Sequence, residues 1–360
     1  MLTPRSFNRL IHYFDGVDRE VSNKLIRTRP HLEPGLTMLL ADLIDPSTAG
    51  EYRLPYSQEA LHADVACGGG ALGVDLKLEL NEYAPEFENR VTQADLGLVL
   101  RYVDHVRPAE SWEKPFLLQA KRLTPNLRGQ SQYTAASRFD LDAEQSARIK
   151  RLRGVLGDGA IRFLLYCPRP DRLDAKDRAV LEYFRTRALA GDFFDFIEGL
   201  EIREQLGADN STLEAGVFVR DGSTEPTTLA ELHHSLMTKS IPLSWFIAVE
   251  FADVAQGPGL RLGRAFHPRP RGAFVPTIPA ATVQEDGDPD FLMGVLKARP
   301  DAVRRLLAAV DHRDHGLAEA QRLAQGVLPR HTMTISVHAA RGANPDLLSQ
   351  GDLVQAMRRP

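Results

Sequence analysis

The sequence predicts an α/β fold whose core runs helix, strand, strand, strand, helix, strand around a mixed sheet, with a C-terminal α+β extension. Three observations carry that expectation. Val74, Leu76, Leu78 and Leu80 alternate with Asp75, Lys77 and Glu79, the period of a strand buried on one face. Two short apolar runs follow close together, at residues 93–102 and 116–123, each bounded by Pro, Asp or other charged residues. A third, at 161–167, is apolar but for Arg162, ends before Pro168 and reads as a central strand.

Taken in order, residues 5–28 place Leu10, Phe14, Val17, Val21 and Leu25 at helical spacing, for one amphipathic helix or a pair broken near Asp15-Gly16. Glu33-Pro34 opens a second helix, because Pro suits a first turn. Leu36, Leu39, Leu40, Leu43 and Ile44 form its apolar stripe, and Pro46 stops it. Gly68-Gly69-Gly70 marks a turn, but no Lys-Ser/Thr follows to cradle a nucleotide phosphate, so a P-loop NTPase is excluded. Residues 142–156 read as the helix that follows the third strand. Beyond it a helix is expected at 175–190, strands at 193–197, 215–219 and 245–249, and a helix at 229–237. A Pro-, Gly- and Arg-rich stretch then precedes helices at 291–310 and 316–328 and a strand at 332–338. The expected division is an N-terminal helical segment (1–30), a main domain (31–253), a linker or long loop (254–290) and a small C-terminal α+β region (291–360).

Composition narrows the functional classes. The 360 residues carry a formal net charge of −4, so affinity for a polyanion must come from a local patch. Arg122, Arg128, Arg138, Arg148, Lys150, Arg151, Arg153 and Arg162 supply a candidate patch, which reads equally well as ordinary helix surface. Two cysteines, Cys67 and Cys167, are too few for a disulfide scaffold or a Cys-based zinc site. No apolar leader or membrane-length run occurs, and the expectation is a soluble cytoplasmic protein without membrane contact. His233-His234 and Trp245 are expected in core or surface roles. His312 and His315 have ligand-like spacing but lack the partners of a zinc set.

The chemistry concentrates at Asp95, Gln119 and Lys121. Side chains alternate across a strand, so Gln119 and Lys121 share one face, and Asp95 begins the neighbouring run. A carboxylate and an amide oxygen are hard ligands suited to Mg²⁺, and a nearby ammonium can orient water and neutralise phosphate charge. Glu33, at the helix start, complements the positive end of the helix dipole. Glu88, on the approach to Asp95, is a candidate third ligand or simply solvated.

An Asp followed in the next strand by Glu/Gln-x-Lys, here Gln119-Ala120-Lys121, resembles the PD-(D/E)XK, or restriction-endonuclease-like, nucleases. The element order agrees, and the resemblance spans roughly residues 30–168. It implies a Mg²⁺- or Mn²⁺-dependent phosphodiesterase acting on DNA or RNA. Asp95, Gln119 and Glu33 would be metal ligands and Lys121 catalytic, with Arg122, Gln145, Arg148 and Arg151 on the nucleic-acid backbone. By analogy it also implies bacterial restriction or anti-phage defence, as a homodimer or a subunit of a defence complex. The alternative is a nuclease fold that has lost activity and serves as a nucleic-acid- or protein-binding regulatory subunit. Gln in place of an acid at position 119 removes one negative charge from the metal site and favours it.

Overall fold

A computed structural model describes residues 4–68, 73–82, 92–105, 108, 111–125, 133–139, 143, 146–147, 149–150, 160–189, 214–221, 227–236, 238–252, 293, 296–297, 328–329 and 331–339. Among them the chain is α/β. Six helices are α1 (Pro4–Asn23), α2 (Glu33–Ile44), α3 (Gln58–Gly68), α4 (Ala175–Leu189), α5 (Leu229–His234) and α6 (Leu243–Ala252). The strands are β1 (Val74–Glu82), β2 (Thr92–Ala94), β3 (Leu96–Asp104), β4 (Trp112–Thr124), β5 (Arg138–Phe139), β6 (Ile161–Tyr166), β7 (Val217–Asp221), β8 (Ser240–Pro242), β9 (Leu328–Pro329) and β10 (His331–Ala339).

Eight of these strands form one open, mixed sheet in the order β1-β10-β3-β4-β6-β7-β8, with β5 paired beside β4. β3 and β4 are antiparallel neighbours, whereas β4 and β6 run parallel, so the chain between β4 and β6 must cross over. The expected strands at 74–80, 93–102, 116–123 and 161–167 are all present, with a break at Asp95 that separates β2 from β3. β2 and β9 pair with each other in a small parallel ladder. No helix among the described residues is long and apolar enough to cross a membrane.

Two expectations change, and one open alternative is decided in favour of a single first helix. The strand expected at 332–338 in the C-terminal extension is β10, and it lies inside the main sheet, antiparallel to β1 and parallel to β3. Met333, Ile335 and Val337 are buried, and so are Thr332, Thr334 and Ser336 between them. The small hydroxyl residues that alternate with the apolar ones are thus covered as well. The run 245–249, expected as a strand, is the middle of α6. Trp245, Phe246, Ile247 and Ala248 are all buried, so the helix has no polar face from which its period can be read. α1 continues unbroken through Asp15-Gly16. Of the expected helix at 142–156, residues 143, 146–147 and 149–150 are described and are helical; the strand at 193–197, the linker and most of the C-terminal helices lie outside the described residues.

β4 has two distinct faces. Trp112, Lys114 and Phe116 meet α6, through ring contacts with Phe251 and Phe246 and a buried Lys114–Glu250 ion pair of 2.9 Å. Gln119 and Lys121 are out of phase with those residues and face the other side. The side of the sheet that binds α6 is therefore not the side that presents the polar pair.

α1 is joined to the start of β7 through buried charge. Arg169 Nη1 lies 3.1 Å from Asp15 Oδ1 and 2.8 Å from Asp18 Oδ1, and Asp18 also accepts the backbone N–H of Gly216 at 2.9 Å. A side chain at Gly216 would strike Cys167 O and Ser22 Cβ, each 2.5 Å from an ideal Cβ, so only glycine permits the approach. Burial pushes the Asp18 carboxyl up to about 6 even though Arg169 pulls it down. Removing the guanidinium leaves buried Asp18 without its cation and Asp15 with only the more exposed Arg19. Arg169→Met is expected to cost about 3–5 kcal/mol in urea unfolding at neutral pH; a loss below ~1 kcal/mol would show that the join does not depend on this ion triad.

Candidate functional site

The site forms where β3 begins while β4 continues. Leu96 pairs with Leu118, and carrying that antiparallel register one step further sets Asp95 across from Gln119. Directly opposed residues point to the same face, so Asp95, Gln119 and Lys121 share it. The Gln119 amide Nε2 donates to Asp95 Oδ2. Asp95 Oδ2 also accepts the backbone N–H of Ala120 at 3.0 Å. Both bonds fall on Oδ2, leaving Oδ1 as the oxygen through which Asp95 can take a further partner.

Glu33 arrives from the first turn of α2. Its Oε2 accepts the backbone N–H of Arg122 at 3.2 Å. Ala120 and Arg122 lie two residues apart, so their N–H groups project from one edge of β4 about two strand steps (~7 Å) apart, and each is met by one carboxylate. The Arg122 guanidinium donates to His31 O at 3.2 Å, tying the chain just before α2 to the same strand. Arg122, expected on a nucleic-acid backbone, thus holds α2 in place through both its main chain and its side chain.

Burial and like charge govern the electrostatics. Part of Asp95 still meets solvent, but protein packs closely around its carboxyl. Desolvation foremost, and then the charge of Glu33, push its pKa up to about 7 against the opposing Ala120 N–H, Lys121 and the Gln119 amide. Gln119 is 2% exposed and Lys121 7%. The Gln119 side-chain oxygen, Oε1, is buried with no hydrogen-bond partner, an arrangement that costs free energy unless something occupies the position opposite it.

One residue of the site escapes the sequence reading. Tyr166, at the end of β6 and in register with Arg122, places its hydroxyl 3.1 Å from Thr37 Oγ1 on α2. Both carboxylates, Asp95 and Glu33, act on it electrostatically. Tyr166 closes an almost wholly apolar run, and only its hydroxyl distinguishes it from core. Arg162, expected in the basic patch, is instead fully buried, its guanidinium 5.6 and 5.5 Å from the ring centroids of Phe116 and Phe246. His233 is buried against Phe218 and His234 is exposed, matching the core and surface roles expected of them. Gln145, Arg148, Arg151, Glu88, His312 and His315 lie outside the described residues.

No cluster of three His, Cys, Asp or Glu side chains with metal-binding geometry occurs among the described residues. The candidate set is smaller: two carboxylates, one unpartnered amide oxygen and a lysine. Those hard oxygens suit a divalent cation of the Mg²⁺ type, which binds few protein ligands and retains water. No family model, no curated protein and no solved structure matches this chain.

The raised Asp95 pKa has a definite sign in stability. Between its ordinary value and about 7, the folded protein holds this proton and the unfolded chain does not, so the residue weakens the fold progressively as pH rises through that window. Asn cannot ionise. The melting temperature of Asp95→Asn is therefore expected to gain on that of the unsubstituted protein between pH 4.5 and pH 8 in buffers free of divalent cations. A gap that stays constant across that range would show that Asp95 ionises at an ordinary carboxylate value.

Proposed function

We propose that the chain is a metal-dependent nuclease that hydrolyses phosphodiester bonds in DNA or RNA on a restriction-endonuclease-like core, with Mg²⁺ or Mn²⁺ as cofactor. The observation that carries the reading is the pairing of Asp95 and Glu33 on successive N–H groups of one β4 edge, beside the Gln119 amide that bonds Asp95. Asp95 through Oδ1, Glu33 and Gln119 through Oε1 would hold the cation. For Gln119 this requires a turn of the amide that exchanges the nitrogen now facing Asp95 for the oxygen. A bound divalent cation supplies Lewis acidity toward a phosphate oxygen and lowers the pKa of water.

The remaining work falls to the protein. Lys121 shares the face of Gln119 and keeps its charge close to Asp95, where it can orient the attacking water and offset negative charge developing on phosphorus. Asp95 must be ionised to serve as a ligand, so cation binding has to displace its proton below about pH 7. Restriction or anti-phage defence in a bacterium is the setting we propose by analogy with such nucleases.

One observation favours a second reading, a nuclease-like fold retained as a binding or regulatory subunit. The Gln119 amide nitrogen, not its oxygen, faces Asp95, so the pair is already partly satisfied without a cation. Cleavage assays on single- and double-stranded DNA and RNA, with Mn²⁺ and with EDTA, separate the two. The nuclease reading expects Mn²⁺-dependent cleavage that falls by at least about 100-fold in Asp95→Ala and in Lys121→Ala. Unchanged cleavage by both variants would remove these residues from the reaction. No cleavage of any substrate, together with no Asp95-dependent Mn²⁺ binding in calorimetry, would favour the regulatory reading.

A further inference from the structure

We infer that Tyr166 is a positioning residue for Glu33, acting through Thr37 to set that carboxylate beside Asp95; this rests on the metal-binding reading proposed above. The donor order follows from counting protons. Thr37 has one hydroxyl proton and donates it to the carbonyl of Glu33 at 3.1 Å. Its 3.1 Å contact with the Tyr166 hydroxyl must then be filled by the phenol proton. The chain runs from Tyr166 to Thr37 to the Glu33 carbonyl. Burial foremost raises the phenol pKa, the Thr37 hydrogen bond opposing it and the charges of Asp95 and Glu33 adding to it, so Tyr166 keeps its proton at neutral pH.

Glu33 needs this support because its own helix turn is weak. The residue before it, Leu32, makes no side-chain cap bond to α2. Gly35 sits in the first turn, where the absence of a side chain lowers helix propensity by up to about 1 kcal/mol relative to Ala. Tethers from the sheet supply what the turn lacks. The Glu33 side chain is held by the Arg122 N–H on β4, and its main chain, through Thr37, by Tyr166 on β6. Arg122 and Tyr166 are register partners, so the two grips come from adjacent points of the sheet and fix both ends of one residue.

Calorimetric titration of the full chain with Mn²⁺ tests this, using the unsubstituted protein, Asp95→Ala, Tyr166→Phe, Thr37→Val, Thr37→Ser and the Tyr166→Phe/Thr37→Val double variant, each with a thermal melt. Tyr166→Phe and Thr37→Val are each expected to weaken Mn²⁺ binding about 10-fold. The double variant should lose no more than either single one, and Thr37→Ser should bind as the unsubstituted protein does. Asp95-dependent binding left unchanged by Tyr166→Phe and Thr37→Val would overturn the positioning role while sparing the metal site. Equal losses in Thr37→Ser and Thr37→Val would overturn it too, because packing rather than the hydroxyl would then be at work. No Mn²⁺ binding by the unsubstituted protein would instead sink the metal reading and this inference with it. Should Tyr166→Phe fail to fold, the Thr37 pair decides alone.

Discussion

The site depends on two adjacent strands ending at different places. β3 starts at Leu96, opposite Leu118, while β4 runs on to Thr124. The N–H groups of Ala120 and Arg122 then lie past the end of the β3 ladder, and each would cost free energy if left unpaired in a buried setting. Two acids answer them: Asp95 from the break before β3 and Glu33 from the first turn of α2. Backbone hydrogen-bonding need therefore brings together two carboxylates whose positions in the sequence are 62 apart (95 − 33), and it does so against their mutual repulsion. The fold stabilises their placement, and their placement costs electrostatic energy.

That tension accounts for the rest of the local arrangement. Lys121 offsets charge from the same face, the Gln119 amide donates to Asp95, and Tyr166 with Thr37 secures a helix start that lacks a side-chain cap. The opposite face of β4 needs no such device, because Trp112 and Phe116 meet aromatic side chains of α6 and Lys114 has its own partner in Glu250. Strand alternation sets Gln119 and Lys121 on the face turned away from that aromatic layer.

Local pattern disclosed the elements that carry the site, because its strands alternate or run apolar within a few residues and α2 has a Pro at its start and one just past its end. The face shared by Gln119 and Lys121 follows from spacing alone. Asp95 was legible by residue type, although its place in a break rather than within a strand was not. Two kinds of information were missing from the local pattern. Pairing over long sequence separation is invisible to periodicity, so nothing near Thr334 indicates that it will lie beside Val99. Burial on all sides erases the period itself, and the uniformly apolar Trp245–Ala248 stretch of α6 cannot be told from a strand by composition. Tyr166 was hidden for a related reason, since a hydroxyl at the end of an apolar strand becomes informative only once Thr37 is seen against it.

Gln119 is where stability and the proposed chemistry meet. A carboxylate there would be a buried acid added to the partly buried pair Asp95 and Glu33, with Lys121 the cation whose charge reaches Asp95. Desolvation would force that acid either to bind a proton or to repel its neighbours. The amide avoids this, because it donates to Asp95 when the site holds no cation and carries an oxygen suited to a hard metal when turned over. The substitution thus lowers the cost of the cation-free fold while removing one negative charge from any bound state. Under the proposed function, a nuclease built this way trades metal affinity for stability in the metal's absence, and the raised pKa of Asp95 reflects the desolvation, and after it the charge of Glu33, that the amide does not relieve.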